Sequence, residues 1–429
     1  MKGKMHLRRP AAFCILLPIA WSLTIARAGA QDWPQFRGPT GQGISAATNV
    51  PVKWSPATNI AWKAEIPGQG WSSPVLSGGK VYLTSAITSP PSLRAICLDA
   101  ATGKVLWNAE ILRPESAAIK VRHQKNSPAS ATPVVTADRL YVHFGHMGTA
   151  SLDLSGNVLW RQTGLKYPPV HGNGGSPALA PAADGPILTF SCDGARDPFV
   201  VALDAATGQP RWKTPRDTPA RRTFSFSTPL YVEIEGAPQL VIPGSGLVAA
   251  YEPSTGRELW RVRYGEGYSV IPRPVFSAEL GMLFVSSGFD APVLYAIRPS
   301  GAIGDATNTA VAWTTRKDAP KTPSMLVTGG LLFYVSDNGT ATCADAATGK
   351  VHWSHRFGGG FSASPLLAEG RVYFQNEAGV GYVVKADKAF QLLAENDLGE
   401  RSLASYAADD GALYIRTETH LWKIAGPGK

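Results

Sequence analysis

Two histidines stand in short polar segments that could present a side chain to a ligand: His123 in Arg122-His123-Gln124-Lys125-Asn126-Ser127 and His171 in His171-Gly172-Asn173-Gly174-Gly175-Ser176. Imidazole ordinarily titrates near neutrality, so either is a weak catalytic candidate, as general base or as donor to an anion. The commoner role of such a histidine is to bond loop backbone. Cations recur in similar segments at Arg122, Lys125, Arg221, Arg222, Arg273, Lys321 and Arg401, against Glu266 and Glu400 close by. Guanidinium forks gathered in a concave site suit carboxylates or phosphates. The ligand class they point to is an anionic small molecule or an acidic polysaccharide. Trp71, Asn126, Asn173 and Tyr268 complete the candidate ligand-binding set, and Trp71 and Phe361 could stack on a planar ligand or sugar.

Other chemistries lack their residues. There is no Gly-x-Ser-x-Gly elbow, phosphate loop or His-Glu-x-x-His zinc motif. His143-Phe144-Gly145-His146 has a metal-like spacing, but on a strand and its turn the two side chains face opposite sides. Calcium would want several oxygen ligands including carboxylates, which these loops barely supply, so no metal is expected.

What brings such distant segments together is a repeat. Leu98-Asp99-Ala100-Ala101-Thr102-Gly103-Lys104-Val105-Leu106-Trp107 returns at 203–212 almost verbatim, at 344–353 and 251–260 more loosely, and at 152–160 one residue shorter. Each copy reads as a strand, an Asp/Gly turn and a second strand whose tryptophan is buried. Tryptophans at 62, 107, 160, 212, 260, 313 and 353 lie 40 to 53 residues apart. An eighth such position near Leu393 lacks one. Each is followed by a short entry into an apolar strand, at Ser73-Pro74, Thr132-Pro133, Ser176-Pro177, Thr228-Pro229, Arg273-Pro274, Thr322-Pro323-Ser324, Ser364-Pro365 and, without proline, Leu403-Ala404-Ser405.

Four strands per repeat and no helical period predict an all-β fold, an eight-bladed β-propeller of four-stranded antiparallel blades over 59–429. The chain starts with an outer strand at Trp62 and finishes with inner strands near 411–417 and 420–424, so the two ends should pair and close the ring. Loops from the outermost strand of one blade to the innermost strand of the next then meet at one mouth of the central channel.

The Leu-Asp-Ala-x-Thr-Gly-x-x-x-Trp repeat, together with Trp33-Pro34-Gln35-Phe36-Arg37-Gly38-Pro39, resembles the PQQ-like β-propeller repeat family across nearly all of 31–425. The resemblance implies either a quinoprotein alcohol dehydrogenase, with PQQ and calcium at the centre of one propeller face, or a cofactor-free outer-membrane assembly scaffold. No two cysteines are adjacent, unlike the vicinal pair such dehydrogenases carry over the quinone. The scaffold's lipid-bearing cysteine is also missing, and the chain most resembles other exported members sharing the opening motif.

The first thirty residues are basic, then apolar from Ala11 to Ala26, then close on Ala28-Gly29-Ala30. This predicts a signal peptide (1–30) cleaved before Gln31, an N-terminal extension (31–58), and a periplasmic or secreted protein with no membrane span. Cleavage would lower the formal net charge from +9 to +4, and no basic stripe suggests nucleic acid. Cys97, Cys192 and Cys343 imply no disulfide framework. The reading is an exported, non-catalytic binding or scaffolding propeller, expected to be monomeric, with an anionic ligand or an envelope protein as partner. The alternative is a PQQ-dependent oxidoreductase of alcohols or sugars. A third reading is a carbohydrate lyase or hydrolase using His123 or His171 with Arg222.

Overall fold

The computed structural model of the chain describes Met1 and residues 32–120, 123–171 and 175–426; the expected signal peptide, Arg122 and Asn173 lie outside them. The described chain forms eight antiparallel sheets arranged as an eight-bladed propeller. In chain order, blades 1 to 7 occupy 75–112, 134–162, 178–215, 230–263, 275–315, 326–356 and 366–397. Blade 8 takes its three inner strands from 407–425 and its outer strand from Ile60–Glu65, which pairs antiparallel with His420–Ala425. Among the described residues the only helix is a single turn, Gly145–Met147, and none is long and apolar enough to cross a membrane.

The repeated tryptophan is an inter-blade fastener. Its indole N–H reaches a turn carbonyl in the following blade: Trp62 to Ala100, Trp107 to Leu154, Trp160 to Ala205, Trp212 to Pro253, Trp313 to Ala346 and Trp353 to Asp387, at 2.8–3.1 Å. For the first five the ring lies on the turn glycine of that blade; Trp353, whose facing turn has no glycine, packs 5.1 Å from Phe390. A Cβ at Gly208 would fall 2.4 Å from Trp160, and its φ of +74° is one L side chains rarely adopt. The turn's aspartate holds its shape, as Asp99 does by accepting from the Thr102 amide and hydroxyl at 2.8 and 2.7 Å. Trp260 departs from the series, its N–H going to Gln239 within its own blade.

A second belt surrounds the channel. In six blades the residue two before the innermost strand sends its backbone N–H to the hydroxyl of its counterpart in the next blade. The bonds run Ser73 to Thr132, Thr132 to Ser176, Arg273 to Ser324, Ser324 to Ser364, Ser364 to Ser405 and, across the chain closure, Ser405 to Ser73, at 2.8–3.0 Å. The sixth and eighth entries are therefore centred on Ser324 and Ser405, each preceding its strand by the common two residues, rather than on Thr322-Pro323 and Leu403. Ser364→Ala leaves the buried Ser324 amide without its acceptor and lowers the unfolding free energy by about 1–3 kcal/mol, measured by chemical denaturation.

The N-terminal extension passes beneath the channel at the end opposite the mouth. Trp33 exchanges backbone bonds with Leu76 of blade 1 at 2.9 Å, and Pro34 accepts from Val135 of blade 2. Gln42 accepts from the Phe276 amide of blade 5. Ile44–Ser45 then lies parallel to the innermost strand of blade 7, Leu366–Ala368. Further along the extension, the Trp54 amide donates to the Asn396 side chain on the outermost strand of blade 7, Leu392–Asp397, at 2.8 Å.

His143 is engaged within the core. His143 Nδ1 bonds Thr149 Oγ1 at 2.8 Å, and its ring packs 4.3 Å from Phe190. Burial, and secondarily His146, holds its pKa down at about 3. Between pH about 6.5 and about 3 the unfolded chain takes up a proton here that the folded chain refuses, so stability falls as pH falls, by about 1.4 kcal/mol per unit from this site. His143→Gln flattens that limb in unfolding measurements against pH.

Candidate functional site

The loops entering successive blades converge on a cavity of about 570 Å³ at the mouth of the channel. Its wall includes Trp71 from the entry to blade 1, His123, Lys125 and Asn126 from the long loop before blade 2, and His171 before blade 3. Arg222 and Phe224 come from before blade 4 and Tyr268 from before blade 5. Phe36, from the extension below, also lines it and forms its floor. Hydroxyls of the belt, among them Ser73, Thr132, Ser364 and Ser405, ring the lower wall.

The two histidines meet, with ring centroids 5.5 Å apart. His123 Nδ1 accepts the Lys125 amide at 3.2 Å, so the neutral ring carries its proton on Nε2. The His171 carbonyl accepts from the Asn126 side chain at 3.0 Å, and the residue takes a left-handed φ of 56°. Partial burial first, then the charges of His123 and Arg222, depress the His171 pKa and keep it a neutral base at neutral pH. From His171 the aromatic wall continues edge to face through Phe224 at 5.3 Å to Tyr268 at a further 5.4 Å. The Arg222 guanidinium lies 4.5 Å above the Tyr268 ring and donates to its hydroxyl, which in turn donates to Asp290 at 2.8 Å. Burial, then Asp290, raises the Tyr268 pKa, so its proton stays on.

Lys125 crosses the mouth. Its Nζ lies 2.6 Å from Glu377 and 3.8 Å from Asp337, on turns of blades 7 and 6. Arg222 stands 3.9 Å from Asp290, Arg221 3.9 Å from Glu266 and Arg401 3.9 Å from Glu418. The expected excess of cations at the mouth is thus corrected. Antiparallel strands bring the turns between second and third strands to the same face as the entry loops, and those turns carry Asp290, Asp337, Glu377 and Glu418, while Glu266 belongs to an entry loop. At the cavity wall itself, however, the ionic side chains are Lys125 and Arg222, and no carboxylate is among the described residues lining it.

Three other candidates stand elsewhere. Arg401 lies 5.2 Å over the Trp71 ring and donates to the Gln124 carbonyl at 2.9 Å. Lys321 holds its Nζ 4.8 Å from the Phe289 ring. Arg273 is not a ligand residue: its guanidinium is buried against Gly41 and donates to the Phe36 carbonyl at 2.6 Å and to Gln35 at 3.2 Å, tying the floor segment to blade 5. Burial lowers its pKa to about 9, still cationic at neutral pH. The expectation failed there because Arg273 replaces the belt hydroxyl at its position and so points inward. Phe224, Asp290 and Glu377 were missed, Phe224 although it follows Arg222 by two residues in sequence, the acids because they sit on the other set of turns.

The fold and its basin define a PQQ-like repeat propeller. The chain belongs to the family described as outer membrane protein assembly factor BamB, whose model matches residues 46–241 and 244–421. It is 22% identical over 362 residues to the outer membrane protein assembly factor BamB of Yersinia pestis, across 81% of this chain and 76% of that one. It is 24% identical over 262 residues to quinohemoprotein alcohol dehydrogenase ADH IIB of Pseudomonas putida, covering 58% of this chain and only 34% of the dehydrogenase. The crystal structure of BamB from Moraxella catarrhalis superposes with a TM-score of 0.57 at 12% identity, covering 85% of this chain and 99% of that one, a likeness of fold.

A quinone held through calcium does not fit the described residues. No carboxylate lines the cavity, and no three His, Cys, Asp or Glu side chains gather as metal ligands among them. Cys97, Cys192 and Cys343 are each buried and in no disulfide.

Proposed function

We propose that this chain is an exported propeller of the periplasm or extracellular envelope that binds, and scaffolds through, an anionic group of a small molecule, an acidic polysaccharide or an envelope protein. The observation that carries the reading is the composition of the cavity wall: two histidines, an aromatic side, a hydroxyl ring and two cations whose carboxylate partners, Glu377, Asp337 and Asp290, stand outside it, with no carboxylate among the described lining residues. A basin of 570 Å³ is ordinary for a ligand site. Membership of the BamB family supports an envelope role, which needs no cofactor.

Thermal shift of the purified chain with sugar acids, sulfated glycans, and PQQ with and without calcium tests this. The unfolding midpoint rises with the acidic saccharides and not with PQQ. No shift with any anion sinks the reading. A shift with PQQ and calcium, accompanied by reduction of an artificial electron acceptor in the presence of an alcohol or sugar, replaces it with the oxidoreductase suggested by the dehydrogenase relative. Arg222→Ala weakens the saccharide-induced shift without altering the midpoint of the free chain by more than a degree or so, because Arg222 is exposed.

A further inference from the structure

We infer that the mouth cavity is a β-elimination site for 4-linked uronate glycans, with His171 as the proton carrier and Arg222 and His123 as the seat of the uronate carboxylate. The inference rests on the reading of the cavity as an anion seat and adds turnover to it.

Eliminating the C4 substituent of a uronate needs three things. The C6 carboxylate must be neutralised so that the C5 proton becomes acidic. A base must take that proton, and the departing O4 must receive one. Arg222 supplies the first: the nitrogen that bonds Tyr268 and stands 3.9 Å from Asp290 is Nη1, and the fork keeps further N–H groups for a carboxylate. His123 adds to it, because its Nδ1 is occupied by the Lys125 amide and its Nε2–H is the group available as donor.

His171 supplies the rest. It stands 5.5 Å from His123, ring to ring, and close enough to Arg222 for that charge to disfavour its own protonation. As neutral imidazole it removes the C5 proton. The C5–H electron pair becomes the C4=C5 double bond, the C4–O4 bond breaks with its pair going to O4, and the imidazolium returns the same proton to O4. The products are an unsaturated uronate and a free 4-hydroxyl, with no change of oxidation state and no further reactant. Tyr268 is not the acid: its hydroxyl hydrogen is engaged with Asp290 at 2.8 Å.

One carrier for both transfers dictates stereochemistry. H5 and O4 must lie on the same face of the sugar ring, as in glucuronate and mannuronate, and not on opposite faces, as in galacturonate.

The experiment incubates the purified full chain with glucuronan, polymannuronate and polygalacturonate, reading the ultraviolet absorbance of the unsaturated product alongside thermal shift. Absorbance rises with the first two and not with the third. His171→Gln lowers kcat by about 10²–10⁴-fold while the saccharide-induced shift persists. Arg222→Ala raises KM as well as lowering kcat. Thermal shift without unsaturated product overturns elimination and leaves the anion seat standing. Neither shift nor product with any uronate overturns both. Equal cleavage of polygalacturonate, or a His171→Gln variant within tenfold of the parent, overturns the assignment to His171.

Discussion

Asp193→Ala lowers the unfolding free energy by about 3–5 kcal/mol, since it strands a buried guanidinium. Asp193 sits on the turn between the second and third strands of blade 3, Ile187–Cys192 and Phe199–Asp204, and Arg216 follows the outermost strand, Pro210–Pro215. Both side chains are buried, with Arg216 Nε 3.3 Å from Asp193 Oδ1. The other carboxylate oxygen accepts from Ser225, in the entry to blade 4. One carboxylate therefore holds three segments of the mouth together. Attraction inside a protein compensates the loss of hydration only while both partners remain. The double variant Asp193→Leu, Arg216→Met recovers most of the loss, because removing both charges also removes their desolvation cost. Denaturant titration of the single and double variants measures the difference; a single variant within about 1 kcal/mol of the parent contradicts the pairing.

Trp33→Ala costs about 3–5 kcal/mol and frees the floor. The ring is buried to 1% exposure and lies so close over Gly38 that a Cβ there would come within 2.6 Å of it. Losing it vacates the anchor of the segment that reaches blades 1, 2, 5 and 7. The amides of Leu76, Val135 and Leu367 donate to Trp33, Pro34 and Gly43. They lose hydrogen-exchange protection together in the variant, and the chain becomes open to proteolysis before Ile60. Independent loss, or none, shows that the segment is held piecemeal. Gly38→Ala acts in the same direction, since its φ of +79° adds strain to the clash.

The architecture was legible because its causes are local and repeated. An aspartate bonding its own turn, a glycine with no side chain to strike the neighbouring indole, and a tryptophan one blade away recur at a fixed offset. Each of these needs its residue type at its position. The entries were legible in six of their positions and displaced by two at Thr322-Pro323 and Leu403. At Leu403 only the spacing suggested the entry; at Thr322-Pro323 a local likeness to Ser/Thr-Pro masked the requirement met in most blades, a hydroxyl two residues before the strand to accept the preceding blade's N–H. Ser324-Met325 meets it without a proline.

The mouth was legible only in part. Trp71, His123, Lys125, Asn126, His171, Arg222 and Tyr268 come to one cavity because entry loops share a face in any propeller. Their electrostatics were not legible, because the acids that balance Lys125 and Arg222 belong to turns whose residues show no motif. Arg273 carried the same signal as its neighbours in sequence, a cation before Pro274, yet faces the extension instead of the mouth. Side-chain direction at that point depends on Phe36 and Gln35, more than 230 residues earlier.

The floor changes what the basin can hold. A tunnel open at both ends can be threaded by the middle of a long polymer, which then slides through and is processed along its length. Phe36 at the wall, its carbonyl held by Arg273, puts part of the extension across that bore. A ligand entering from the mouth meets this obstruction, which favours a terminus or a side branch over the middle of a long strand.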